Sequence, residues 1–225
     1  MNLLSTAAAT VGTVGAYLAA ERLYRRFHLL LLHPLLLTSV LGAVVLGPRP
    51  ALLSHYLEGS WLLLWALGPA TAALALPFFQ SRAVLATNPA KVLLSVAVGT
   101  AASVGTVLGL GTLLGVAPSL VHALTLKSVT APVALALAKD VGVDPGLVSC
   151  GVVATGLFGM AVGPFLLRWL GVRRPLARGL ALGTVAHAMG TARALEQDGP
   201  EGAAGGAMAL SLVALLVSLA VALLR

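Results

Sequence analysis

The sequence predicts an all-α polytopic membrane protein of about seven to eight hydrophobic helical segments, at least one of them discontinuous or re-entrant. Three observations carry that prediction. Hydrophobic residues fill 59% of the 225 positions and charged residues only 9%, against about a quarter charged in a soluble domain. So few charges could not cover a surface facing water. Mean hydropathy is +1.00, and the chain breaks into apolar runs of roughly 20 residues, the length that crosses a bilayer. Proline, glycine and a few polar residues interrupt some of those runs, which membranes tolerate only where protein or a cavity meets the freed backbone groups.

The segments follow in order. The first, 3–20, runs into Glu21-Arg22 with no charged stretch before it, and reads as a membrane segment rather than a removable signal peptide. The second is 29–46. A Pro-rich loop from Gly47-Pro48-Arg49-Pro50 continues past His55 and Glu58. The third, 61–79, carries Gly68 and Pro69 as helix breaks, and the fourth is 92–116. The fifth, 119–138, contains Lys127 and a break at Pro132. The sixth, 147–170, holds a small-residue packing face at Gly159, Gly163 and Pro164. The seventh, 179–195, is broken at Gly183, with Gly190-Thr191 a further break. An acidic, Gly-rich loop over 196–206 precedes the last segment, 207–224. One integral membrane domain over 1–225 is expected.

Charge distribution constrains the topology. Basic residues cluster between apolar runs, at Arg22, Arg25 and Arg26 and again at Arg168, Arg173, Arg174 and Arg178, as positive-inside loops do. No basic face with interleaved aromatics exists, so nucleic-acid binding is not expected despite a net charge of +7. If every segment crosses, the four-arginine cluster falls opposite the other clusters. If the fifth dips in and returns, the large basic clusters share one side. A weak internal echo, Thr71-Ala72 against Thr130-Ala131, each near a proline, adds a pointer of the kind broken transporter helices leave.

The polar residues inside the apolar runs are the functional candidates. Lys127 is the ninth residue of its segment, too deep to reach either surface easily, and a mid-membrane lysine costs about 2.5–3.5 kcal/mol. It reads either as half of a structural ion pair or as part of an anion site. Ser128 and Thr130 follow it, and Pro132 suits the first turn of a helix, whose N-terminus beside a lysine receives a carboxylate or phosphate. His187 reads either as a helix-to-helix hydrogen-bonding residue or as a substrate or proton-coupling contact, since an unperturbed imidazole titrates near about 6.5. Gly190 and Thr191 stand beside it, and Thr71 joins the group less directly. No catalytic constellation emerges: Lys127 and Ser128 diverge by about 100° on a helix, and no HExxH, GxSxG or paired intramembrane aspartate is present. The single Cys150 excludes an internal disulfide and a cysteine-based zinc site. Neither an enzyme nor a cofactor or metal is expected.

Several stretches resemble the signature blocks of the LrgB/CidB family: 67–75 (LGPATAALA), 127–132 (KSVTAP), 178–184 (RGLALGT) and 187–196 (HAMGTARALE). They stand in family order over about 31–225, leaving 3–20 as an extra N-terminal transmembrane helix. The resemblance implies two functions. Bacterial members are described as antiholin- or holin-like proteins influencing murein hydrolase export and autolysis. The plant relative is a plastid translocator of glycolate and glycerate, and bacterial pairs are linked to pyruvate uptake. The resemblance thus implies a secondary transporter of small monocarboxylates such as glycolate, glycerate, pyruvate or lactate. It also implies a separate small LrgA/CidA-like membrane protein as partner, with a homo-oligomer compatible. The expected setting is the lipid bilayer of a bacterial plasma membrane, with a small carboxylate anion as ligand.

Overall fold

The computed structural model describes residues 3–27, 29, 32–73, 75–80, 82, 86 and 89–223, without the side chains of 67, 70, 71, 73, 75, 77 and 78. The described residues are helical with no strand, in the order α1 (Leu3–Phe27), α2 (Pro34–Leu46), α3 (Pro50–Gly59), α4 (Trp61–Ala73), α5 (Ala75–Gln80), α6 (Pro89–Leu113), α7 (Pro118–Thr125), α8 (Ala131–Val141), α9 (Pro145–Trp169) and α10 (Pro175–Leu223). Among them α1, α6, α9 and α10 are long and apolar enough to cross a membrane. Large apolar side chains such as Leu94, Val98, Phe158, Phe165, Trp169 and Leu215 stand exposed, as a surface bathed in hydrocarbon requires.

Two compact units divide the chain, Met1–Ala70 and Thr71–Arg225. In the first, α1 packs against α2 and α3. Gly59 makes the α1–α3 contact, since a Cβ there would strike the Ser5 backbone. Thr13 and Tyr56 share a hydroxyl–hydroxyl bond of 3.0 Å, and the Trp61 indole donates to Thr6 Oγ1 at 3.0 Å. The expected loop past Pro50 is instead α3: Pro50 fills the first turn, where its missing N–H costs nothing.

The second unit is built from long helices and two half-depth hairpins. The fifth apolar segment is discontinuous: α7 ends at Thr125, residues 126–130 leave the helix, and α8 starts at Ala131 with Pro132 in its first turn. Its contacts fix its direction. Val121 lies against Gly111, close to the end of α6, and Leu124 and Lys127 lie against Gly151, early in α9. Gly111 and Gly151 therefore lie at nearly the same depth from the face where α6 ends and α9 begins. A crossing segment would separate them by about 20 Å, given 1.5 Å of rise per residue and a core about 30 Å thick. The segment 118–141 dips in and returns.

α10 is three pieces, not one rod. Its backbone leaves helical geometry at Ala186–His187 and again at Gly199, giving helices over 175–185, 188–198 and 200–223. The first two form a second hairpin. A Cβ on Gly190 would strike the Leu182 carbonyl, a contact that eight residues of continuous helix would never allow. At its base Arg178 pairs with Asp198 at 3.1 Å and donates to the Gln197 amide oxygen at 3.1 Å. Two expectations are corrected here. The break falls at Ala186–His187 rather than at Gly183 or Gly190-Thr191, because those glycines serve close packing. The loop expected over 196–206 is helical apart from Gly199: Pro200 restarts the helix. Gly202, Gly205 and Gly206 press against the backbones of Ala194, Leu176 and Gly183. Small residues at these contacts let helix axes approach where any side chain would hold them apart. Gly68 and Pro69 do not break α4, which carries Pro69 inside it as α9 carries Pro164; each proline forfeits one intrahelical bond without ending the helix.

Candidate functional site

The two hairpin tips approach α6 and α9 at neighbouring depths. On α6, Thr184 of the second hairpin lies against Gly99, one helical turn from Ser103, which receives Lys127 of the first at 2.8 Å. On α9, Lys127 lies against Gly151, and the His187 ring N–H (Nε2) donates to the carbonyl of the next residue, Val152, at 3.1 Å. Ser103 stands ten residues from the end of α6, about 15 Å of helix, which is the bilayer midplane.

At the first tip, the Lys127 ammonium donates to Ser103 Oγ, and Ser103 Oγ bonds Ser128 Oγ at 2.9 Å. No carboxylate lies within ion-pair distance of Lys127 among the described residues. The structural ion-pair reading therefore has no partner acid in view. Ser128 and Thr130 are buried. Thr130 occupies the N-cap of α8 without capping it, and its hydroxyl is buried with no hydrogen-bond partner among the described residues. An N-cap threonine normally satisfies an amide of the first turn. Here the first-turn amides of Ala131 and Val133, the idle hydroxyl and the lysine all fall within residues 127–133, a positively polarised and incompletely bonded group.

At the second tip, His187 is 3% exposed and holds φ 42 and ψ −127, a conformation that favours glycine and costs a side-chain-bearing residue about 1–3 kcal/mol. Gly156 makes room for it: a Cβ there would lie 2.8 Å from the imidazole Cε1 and 2.7 Å from Met189 Sδ. Thr191 donates its hydroxyl to the His187 carbonyl at 2.9 Å, and Gly190 is buried against the opposite arm. Gly183 lies in the same hairpin, pressed on Gly206, and structures the arm rather than the tip.

The structure thus brings Lys127, Ser128, Thr130 and Pro132 to one tip and His187, Gly190 and Thr191 to the other. Gly68 and Pro69 are exposed on α4, and the Thr71 side chain lies outside the described residues. Ser103 and Gly156 escaped the sequence reading. Ser103 sits in an ordinary apolar run with no break near it, and only the fold brings Lys127 to it. Gly156 is one turn before the Gly159–Gly163 face, which receives Ala186 and Leu182, and a longer small-residue pattern, Gly156-x-x-Gly159, was its one signal.

Comparison with known proteins gives a consistent result. The family model described as LrgB-like family matches residues 13–225. The chain is 34% identical over 184 residues to the uncharacterized protein YxaC of Bacillus subtilis, covering 82% of this chain and 80% of that one. It is 26% identical over 191 residues to the holin-like protein CidB of Staphylococcus epidermidis, covering 85% and 83%. It is 28% identical over 170 residues to the antiholin-like protein LrgB of Bacillus mycoides, covering 76% and 74%. No solved structure matches it.

Proposed function

The chain belongs to the LrgB-like family, and from that premise we propose that it is a secondary transporter of small monocarboxylates such as glycolate, glycerate, pyruvate or lactate. The observation that carries this reading is Lys127: a cation at mid-membrane, bonded to Ser103 and beside an uncapped helix N-terminus, with no acid in reach among the described residues. A half-buried charge at mid-membrane without a counter-ion is costly, and a carboxylate arriving at the first turn of α8 offsets that cost through charge-assisted bonds. In this reading the Thr130 hydroxyl, buried without a bond of its own among the described residues, donates to it. His187 supplies a titratable group at the other tip, suited to proton coupling.

A second reading has its own support. Relatives named holin-like and antiholin-like favour a regulator of murein hydrolase export and autolysis, and none of the names cited speaks of transport. That reading works through protein contacts, including a separate small LrgA/CidA-like partner, and assigns Lys127 no role. A bacterial plasma membrane is the proposed location for either. The five basic residues Lys91, Arg168, Arg173, Arg174 and Arg178 on one face of the second unit orient that face to the cytoplasm.

Uptake of labelled pyruvate, lactate, glycolate and glycerate into proteoliposomes, with and without a pH gradient and with and without the small partner, decides between them. Saturable uptake is expected. If none of the four moves under any gradient with the partner present, the transport reading is wrong and the regulatory one remains.

A further inference from the structure

We infer that residues 89–198 are two inverted copies of one membrane unit, and that their hairpins are alternating doors to the single site at their tips. This rests on the transport reading for what passes, though not for the movement itself. Each copy opens with a 25-residue helix beginning at proline, Pro89–Leu113 and Pro145–Trp169. Each turns through the same tripeptide, Leu114-Gly115-Val116 and Leu170-Gly171-Val172, with the glycine left-handed at φ 65 and φ 71. Each re-enters the membrane on a proline in the first turn of a short helix, Pro118 and Pro175. Both break at mid-depth, return, and end on a left-handed glycine, Gly142 at φ 72 and Gly199 at φ 69. Every landmark recurs 56 or 57 residues later, as Pro89 to Pro145, Gly115 to Gly171 and Gly142 to Gly199 do.

Inversion follows from counting crossings. A unit of one full crossing and one returning dip delivers the chain to the opposite face, so the second copy enters from the side the first left. The first hairpin reaches the tips from the face where α6 ends, touching α6 at Gly111 and Ser103 and α9 at Gly151. The second comes from the other face, touching α6 at Gly99 and α9 at Val152, Gly156, Gly159 and Gly163. Inverted repeats can exchange conformations, and that exchange turns a central site from one face to the other. Each hairpin covers the site on its own side and leaves the other side to its twin.

The test pins each hairpin in turn, in a Cys150→Ala background that removes the single native cysteine. A Cβ at Gly111 lies 3.5 Å from that of Val121, and one at Gly99 lies 4.0 Å from that of Thr184, both within the roughly 3.5–4.5 Å that a disulfide spans. Gly111→Cys with Val121→Cys pins the first hairpin; Gly99→Cys with Thr184→Cys pins the second. A Thr130→Cys reporter is then labelled with an impermeant methanethiosulfonate from either side of oriented vesicles. With the first hairpin pinned, labelling is expected only from the face of the second; with the second pinned, only from the face of the first. After reduction, labelling above that of the same variants without the reporter, whose freed locking thiols also react, should return from both faces, and monodisperse elution on size-exclusion chromatography shows that each variant is folded. Labelling from the same face under both locks, or a pattern that the locks leave unchanged, overturns the inference. Alternating labelling, beside unsubstituted protein that moves no carboxylate with the small partner present, would sustain the two doors and discard the transport reading.

Discussion

The two hairpins share a plan and differ in how they are held. In the second, the arms 175–185 and 188–198 are locked to each other by Gly190 on Leu182 and by Arg178 on Asp198, and to 200–223 by Gly183 on Gly206. In the first, α7 rests on α6 and α9 while α8 packs mainly on α9, and the open tip between them carries the charge. Backbone-to-backbone packing makes the second hairpin and 200–223 one rigid piece that moves as a body; side-chain packing around a lysine lets the first hairpin flex within itself. The contrast assigns rigidity to the tip that holds a strained histidine and latitude to the tip that holds a cation.

Four substitutions sharpen or break that contrast, beginning with the most damaging. Gly183→Leu forces a branched side chain into the Gly206 backbone. Overpacking of this kind costs about 1–3 kcal/mol even where side chains can yield, and here backbone blocks it, so loss of monodisperse protein on size-exclusion chromatography is expected. Folded, active Gly183→Leu protein would remove the claim of rigidity. Lys127→Met comes next: uptake should fall below detection while expression and thermal stability hold or rise, since an apolar residue of similar length replaces a half-buried charge without a counter-ion. Full uptake by Lys127→Met would leave the transporter standing and strike its assigned site.

Thr130→Val removes an unbonded hydroxyl at nearly constant shape. Stability should be unchanged or slightly raised, because a buried polar group without a partner is a cost. KM should rise about tenfold, the worth of about 1.4 kcal/mol of binding; an unaltered KM would show that the hydroxyl never meets substrate. The smallest effect on rate is expected from His187→Gln. An amide can still donate to the Val152 carbonyl but cannot titrate, so uptake should persist while its variation between pH 5 and 8 flattens. An unchanged pH profile places proton coupling elsewhere.

Much of this was legible in the sequence for one reason: lipid penalises polar groups so heavily that each one inside an apolar run is conspicuous. Lys127, Thr130 and His187 announced themselves that way, and Pro132 marked a true helix start. Glycine was harder to read. In Gly199-to-Gly206 the same residue type makes a turn at Gly199 and a packing face at Gly202, Gly205 and Gly206, and local composition favoured a loop for all four. Only the neighbour decides, and the neighbour is a distant segment. Gly183 misled for the same reason. Ser103 shows a different gap: a hydroxyl that satisfies itself on a helix draws no notice until the fold delivers a lysine to it.

The half-depth hairpins also constrain the order in which this molecule is assembled. Neither α7, at 8 residues, nor α8, at 11, approaches the roughly 20 residues that cross the bilayer unaided, and the bend between them carries a lysine. During synthesis such a stretch has no reason to leave the membrane surface until α9 has been made, because Gly151 supplies the wall on which it rests. α6 and α9 must enter the bilayer first, and the hairpin folds inward against them afterwards, a maturation step that begins only when the chain has grown past Gly151.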